Sequence, residues 1–382
     1  MGLRALLRST TDLTLGTIIM ALSGLLFWLF AARLYPPDEI GTASALVSFM
    51  NLVFALSTLG LNIGLVRFHR IYGKGAAGTT VTAMVLLSTG FTTAYVLMNP
   101  GKVFERPGLI VGAYLLGLFG ALYNALGFIS IPLCRTEVYV KMSTLYGLRV
   151  VFLPIFRGLK ASGMILATSL GLAIASALGL TEFREQVSFT IDVEFIKESL
   201  ALSLSNYLGS IVNVLPLYLM PTIVLVELGK ARTGYYYIGF TIGNLMMTPI
   251  VALSTILIRD GEKALFRKSL ALVLSYWVLA VVGIFWLGKP ILEIFGGDYL
   301  AALPMLKMIA LGLGPFGLVY IGISGLTVKG AAGRILAINL VRGLSFLILG
   351  YFLLTRQGIT GIGVAWALAH LLAALLLDPK TF

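Results

Sequence analysis

The 382 residues are 58% hydrophobic and 12% charged, with a mean hydropathy of +0.97, where a soluble globular chain carries about 25% charge. Such a composition excludes a soluble core, because no globular interior could bury that much apolar surface. The formal net charge is +12. However, the Lys and Arg residues are scattered among short loops instead of being gathered on one face, so the acidic partners expected are membrane lipids or an anionic lipid substrate, with no nucleic acid.

The apolar residues come in runs of about twenty, the length a helix needs to cross roughly 30 Å of hydrocarbon. Gly, Pro and charged clusters divide the chain into about 12 transmembrane helices, an all-α polytopic membrane protein. The first six spans are expected near 13–34, 40–66, 79–98, 109–133, 143–156 and 161–180. A polar stretch from Thr181 to Ser199 follows, and then spans near 200–226, 233–258, 269–287, 302–327, 335–354 and 359–377. The first run is too long for a cleaved signal peptide and reads as a retained span. Basic clusters such as Arg67, Arg70 and Lys74, or Lys329 and Arg334, favour both termini on the cytoplasmic side of the cell membrane.

The spans repeat. Asp38-Glu39-Ile40-Gly41 leads into span two, and Ala231-Arg232-Thr233-Gly234 leads into span eight, 193 residues later. At that offset Ser44 meets Tyr237, Ser48 meets Thr241, Asn51 meets Asn244 and Arg149 meets Arg342. Gly158 to Gly163 matches Gly358 to Gly363 at an offset of 200. An even number of spans per half makes this a parallel repeat, two six-helix bundles related by a pseudo-twofold axis. The division expected is 1–181, a cytoplasmic linker 182–198, and 199–382.

A polar group in hydrocarbon costs free energy unless it finds a partner or water. Span two carries Ser44, Ser48 and Asn51 on one face, and span eight carries Tyr237, Thr241 and Asn244. Span seven carries Ser203, Asn206, Ser210 and Asn213, followed by Pro216 and Pro221. Such stripes line a cavity or form interhelical hydrogen bonds. Arg149 and Arg342 are sharper signals, since an arginine inside a span costs at least about 2.5 kcal/mol on insertion scales. Tyr146 lies one turn before Arg149 and Asn339 one turn before Arg342. If they face a wet cavity, two such guanidinium groups can hold phosphate by paired hydrogen bonds; if they sit near span ends, they snorkel to the interface. Lys307, Arg33 and Arg67 read as interfacial residues.

Asp and Glu lie outside the expected spans, as at Asp12 and Glu227, which disfavours a cation-coupled carrier and favours an anionic cargo. Cys134 is the sole cysteine, and His69 and His370 are far apart, so neither a disulfide framework nor a metal site is expected. No cofactor is implied. Gly73-Lys74-Gly75-Ala76-Ala77-Gly78 fits a nucleotide-binding pattern but follows a membrane span instead of a strand, and reads as a flexible basic loop, as does Lys329 to Gly333.

Three stretches resemble the polysaccharide-transporter branch of the multidrug/oligosaccharidyl-lipid/polysaccharide (MOP) exporter superfamily. Phe30 to Gly41 is similar to the passage after that family's first helix, Leu59 to Arg67 to the close of its second, and Ile294 to Ala302 to the turn before its tenth. The resemblance implies a flippase for an anionic polyprenyl-linked glycan, with two six-helix bundles, a cationic cavity, alternating access, and a functional link to glycosyltransferases. It implies no enzyme activity. Family members differ in where they place cationic residues, so Arg149, Arg342 and the candidate contacts Asn51, Asn244, Asn206, Asn213, Tyr146 and Asn339 come from the residues themselves. The alternatives are a cation-coupled multidrug exporter and, from another class, an integral-membrane polyprenyl-lipid glycosyl or acyl transferase.

Overall fold

The structure is a computed structural model that describes residues 3–99, 101, 103–260 and 263–378, with the side chains of all of these except 3–8, 10, 205, 259–260, 263–265 and 267. The chain ends, which the charge pattern assigns to the cytoplasm, lie outside the described residues.

The described residues are helical without strands. In chain order the helices are α1 (Leu3–Leu34), α2 (Pro37–Ser57), α3 (Leu61–Tyr72), α4 (Lys74–Met98), α5 (Pro107–Ser130), α6 (Thr136–Gly147), α7 (Arg149–Ile155) and α8 (Lys160–Glu182). They continue as α9 (Val193–Leu228), α10 (Lys230–Asp260), α11 (Lys263–Phe295), α12 (Leu303–Val328), α13 (Ala332–Gln357) and α14 (Ile359–Ala374). Among the described residues, eleven segments are long and apolar enough to cross a membrane, and α14 is a shorter apolar helix. The chain is a multi-pass membrane protein. Its outward apolar surface is what hydrocarbon requires: Leu272, Val278, Leu279, Val282, Phe285 and Trp286 of α11 are all exposed.

Two compact units divide the chain, one running to Ile211 and the other starting at Val212. The dividing point falls inside α9, well past the polar stretch at 182–198. The helices α2 of the first unit and α10 of the second start 193 residues apart, at Pro37 and Lys230.

The first unit departs from the expected spans at three places, each with a local cause. Span two is interrupted, because Leu59 and Gly60 adopt φ of 44° and 74°, a left-handed pair through which an α-helix cannot continue. At the interruption the Leu56 carbonyl, which still accepts from the Leu59 N–H at 3.4 Å, also accepts a hydrogen bond from the Tyr207 hydroxyl at 2.9 Å. Span five begins earlier than its polarity suggests, at Thr136, because its charged start is compensated. Arg135 pairs with Glu182, which also lies 3.4 Å from Lys141 Nζ, and Thr136 donates to Asp12 at 2.9 Å. Finally, the glycine-rich stretch after Gly73 is the start of α4 and not a flexible loop. The extended segment before α9 lies across it, with the Asp192 backbone N–H donating to Thr79 Oγ1 at 2.7 Å. Asp192 Oδ1 then caps α9 by accepting from the Phe195 N–H at 3.0 Å.

Glu39, buried in the first turn of α2, ties three elements together. Its two carboxylate oxygens accept from Arg106 Nη1 and Nη2, both at 2.9 Å. Glu39 Oε2 also accepts from the Ala161 N–H in the first turn of α8 at 2.9 Å, where the helix dipole favours a negative charge. Glu39→Gln keeps the shape but removes the charge. It is expected to destabilise the first unit by about 2 kcal/mol, the value of a hydrogen bond to a charged group, seen as a lower unfolding temperature in detergent. An unchanged temperature would show that the pair is screened.

Candidate functional site

Both arginines singled out by sequence are buried, Arg149 at 7% and Arg342 at 9% exposure. Arg149 opens α7, so it lies six positions before Ile155, about 9 Å of helix. Arg342 lies ten residues into α13, about 15 Å from Ala332. It is therefore the deeper of the two within its own span.

In the first unit the guanidinium of Arg149 lies over the Tyr146 ring, 3.9 Å from its centroid, and over the Phe27 ring at 4.9 Å. It also donates to the Tyr146 hydroxyl. The Tyr123 ring stands 5.5 Å from that of Tyr146, and its hydroxyl hydrogen-bonds with Ser143 at 3.0 Å. Aromatic faces thus cover the flat sides of this cation, an arrangement favourable by about 0.5–2 kcal/mol per ring.

In the second unit Arg342 donates through Nη2 to Asn213 Oδ1, joining α13 to α9. The close approach depends on Gly343, where a Cβ would come within 2.9 Å of the Val212 carbonyl oxygen. The Arg342 guanidinium also lies 5.3 Å from the Tyr320 ring centroid. Tyr320 stacks near Phe316 at 4.4 Å, and Phe316 packs against Trp366 at 5.5 Å and His370 at 5.2 Å. The buried His370 places Nδ1 2.8 Å from the Trp366 carbonyl, a contact that needs the proton on Nδ1. Asn339, also buried, keeps its Oδ1 without a hydrogen-bond partner among the described residues.

Arg342 forms no ion pair among the described residues. Glu39 is the buried carboxylate among them, and it is held by Arg106 and Ala161 in the other unit. A buried cation without a counter-ion is costly, so the second unit presents a positive site suited to an anion. No group of three or more His, Cys, Asp or Glu placed to hold a metal occurs among the described residues.

The structure brings Tyr146 to Arg149, and Asn213 to Arg342. It does not join the other asparagines to them. Asn51 is half-buried, Asn206 and Asn244 are exposed, and no hydrogen bond among the described residues links any of the three to the arginine of its own unit. Lys307 lies 4.8 Å from the Phe285 ring centroid. Sequence reasoning missed Phe27, Tyr123, Tyr320 and the contact role of His370. One signal was available: Tyr123 and Phe316 are themselves 193 residues apart, and each packs against a ring that touches the arginine of its unit, Tyr146 and Tyr320.

No family model and no curated protein matches the sequence. Solved structures do match the fold. An inward-facing multidrug resistance MATE family transporter of the MOP superfamily aligns over 96% of both chains, with a TM-score of 0.74 and 15% identity. The lipid II flippase MurJ in an inward closed conformation aligns over 95% of this chain and 86% of its own, with a TM-score of 0.72 and 15% identity. A MOP superfamily transporter from Pyrococcus furiosus aligns over 97% and 93%, with a TM-score of 0.62 and 14% identity.

The chain has the fold of these solved transporters. At these identities the likeness speaks for the fold alone, and it covers drug exporters and a lipid flippase equally well.

Proposed function

We propose that this protein is a flippase that moves an anionic, polyprenyl-linked glycan precursor across the cell membrane by alternating access, without covalent chemistry. The observation that carries the reading is Arg342, buried in its span with neutral oxygen and aromatic neighbours and, among the described residues, no carboxylate partner. The phosphate or diphosphate of a lipid carrier would supply the missing negative charge. Arg149 offers a second cation at the matching place in the first unit. The likeness to the lipid II flippase MurJ supports a lipid cargo. Both termini are placed in the cytoplasm on the charge pattern, and glycosyltransferases that build the precursor are the expected functional partners.

The similarity to a MATE multidrug transporter supports a second reading, a cation-coupled drug exporter. A coupling cation or a cationic drug calls for a carboxylate inside the spans, and the buried Glu39 is already engaged by Arg106 and Ala161.

The test is leaflet exchange of a fluorescent polyprenyl-diphosphate oligosaccharide in proteoliposomes, with the lipid recovered afterwards. Exchange above protein-free vesicles, recovery of the intact lipid, and loss of exchange in the double variant R149A/R342A are expected. Unchanged exchange in the double variant would remove the cationic site, and drug efflux driven by an ion gradient would favour the exporter.

A further inference from the structure

We propose that the Arg342 nest of the second unit binds a glycosyl phosphate, with Arg342 holding phosphate oxygens and Asn339 Oδ1 accepting a hydrogen bond from an adjacent sugar hydroxyl. This rests on the reading of an anionic glycolipid cargo and adds which part of it the second unit contacts.

The argument starts from Asn339. It is 7% exposed, and its Oδ1 is buried without a hydrogen-bond partner among the described residues, a state that costs free energy in a folded protein. It lies three residues before Arg342 on α13, so the two side chains share one face of the helix. That face therefore presents strong donors from a guanidinium and, beside them, an oxygen that can only accept. Arg342 gives one N–H to Asn213 Oδ1 and has others, since the guanidinium carries five donors in a fixed fork.

The ligand must complement both groups at once. A bare phosphate or diphosphate brings acceptor oxygens, which suit Arg342 but leave the Asn339 oxygen unpartnered. A neutral sugar brings hydroxyl donors, which suit Asn339 but leave the buried charge uncompensated. A sugar joined to phosphate carries both within a few ångströms. The surroundings fit the same chemistry. With its proton on Nδ1 toward the Trp366 carbonyl, His370 is an acceptor at Nε2. Tyr320 offers an aromatic face beside Arg342, of the kind the apolar face of a sugar ring packs against. Asn213 and Tyr320 are only half-buried whereas Asn339, Arg342 and His370 are buried, so Asn213 and Tyr320 form the more exposed side of the nest.

The experiment is titration calorimetry on the full chain in detergent with four probes: glucose 1-phosphate, N-acetylglucosamine 1-phosphate, inorganic phosphate and glucose. At least one of the two sugar phosphates is expected to bind about tenfold tighter than inorganic phosphate, the value of one hydrogen bond to a buried acceptor, and glucose weakest. Asn339→Leu should abolish the preference and leave phosphate affinity in place, whereas Arg342→Gln should weaken every phosphate probe. Asn339→Ala takes its place should the leucine variant not fold, and the wild-type ratio decides independently of either. Equal binding of sugar phosphates and phosphate by the wild type, or equal weakening of both in the Asn339 variant, overturns the glycosyl assignment while the anionic cargo stands. Absence of binding by any phosphate probe, or wild-type binding by Arg342→Gln, overturns the anionic reading itself.

Discussion

On the proposed function, Arg342→Ala is expected to lower the initial rate of leaflet exchange of a polyprenyl-diphosphate oligosaccharide by about 100-fold, and Arg342→Lys to fall between Arg342→Ala and the wild type. Removing one partner of a buried charge-assisted contact costs about 2–5 kcal/mol, and about 2.7 kcal/mol is already a hundredfold. Lysine keeps the charge but loses the planar fork that meets two phosphate oxygens together. The alanine variant is expected to stay folded, since Arg342 reaches Asn213 through a single hydrogen bond and the aromatic cluster of Phe316, Trp366 and His370 holds together without it. Initial rates in proteoliposomes, normalised to reconstituted protein, are the measurement. If Arg342→Lys and Arg342→Ala were equally active at the wild-type rate, Arg342 would be a snorkelling residue with no part in transport.

Gly60→Val is expected to remove most folded protein, through two additive effects at one backbone position. The φ of 74° at Gly60 disfavours any side chain, most of all a β-branched one, by about 1–3 kcal/mol. A Cβ there would also meet the Ser203 side chain, with Tyr207 Cβ 3.4 Å away, and overpacking adds about 1–3 kcal/mol. The two terms can be separated. Ser203→Gly placed on Gly60→Val should restore the steric part alone, while Gly60→Asn should be milder because asparagine tolerates the left-handed conformation. Yield of monodisperse protein and unfolding temperature would both report it, and a wild-type unfolding temperature in Gly60→Val would mean that the interruption between α2 and α3 can straighten.

Periodicity and hydropathy made most of the architecture legible because the bilayer imposes a length on each helix and removes alternatives to helical backbone. Where span borders moved, the reason lay in partners remote in sequence. Thr136 to Tyr139 lie ahead of the expected span at 143–156, and their helix is anchored by Arg135 beside Glu182, 47 residues on. The break at Leu59 and Gly60 was hidden inside an apolar run, since its stabilising contact comes from Tyr207, 151 residues away from the carbonyl it serves. The glycine pattern after Gly73 suggested a loop, and contact with the segment before Asp192 made it a helix start instead.

The candidate site divides the same way. The sequence by itself determined that two arginines recur 193 residues apart inside apolar helices, each with a polar residue one turn earlier, because an unavoidable cost repeated at matched positions is visible without coordinates. Only the tertiary structure decided that the two are unlike. Arg149 is wrapped by Phe27 and Tyr146, whereas Arg342 meets Asn213, 129 residues distant, in a nest where an asparagine oxygen is left unpartnered among the described residues. Side-chain identity sets what a residue can donate or accept, but packing between helices distant in the chain sets which of those valences are already filled, and the unfilled ones define the ligand.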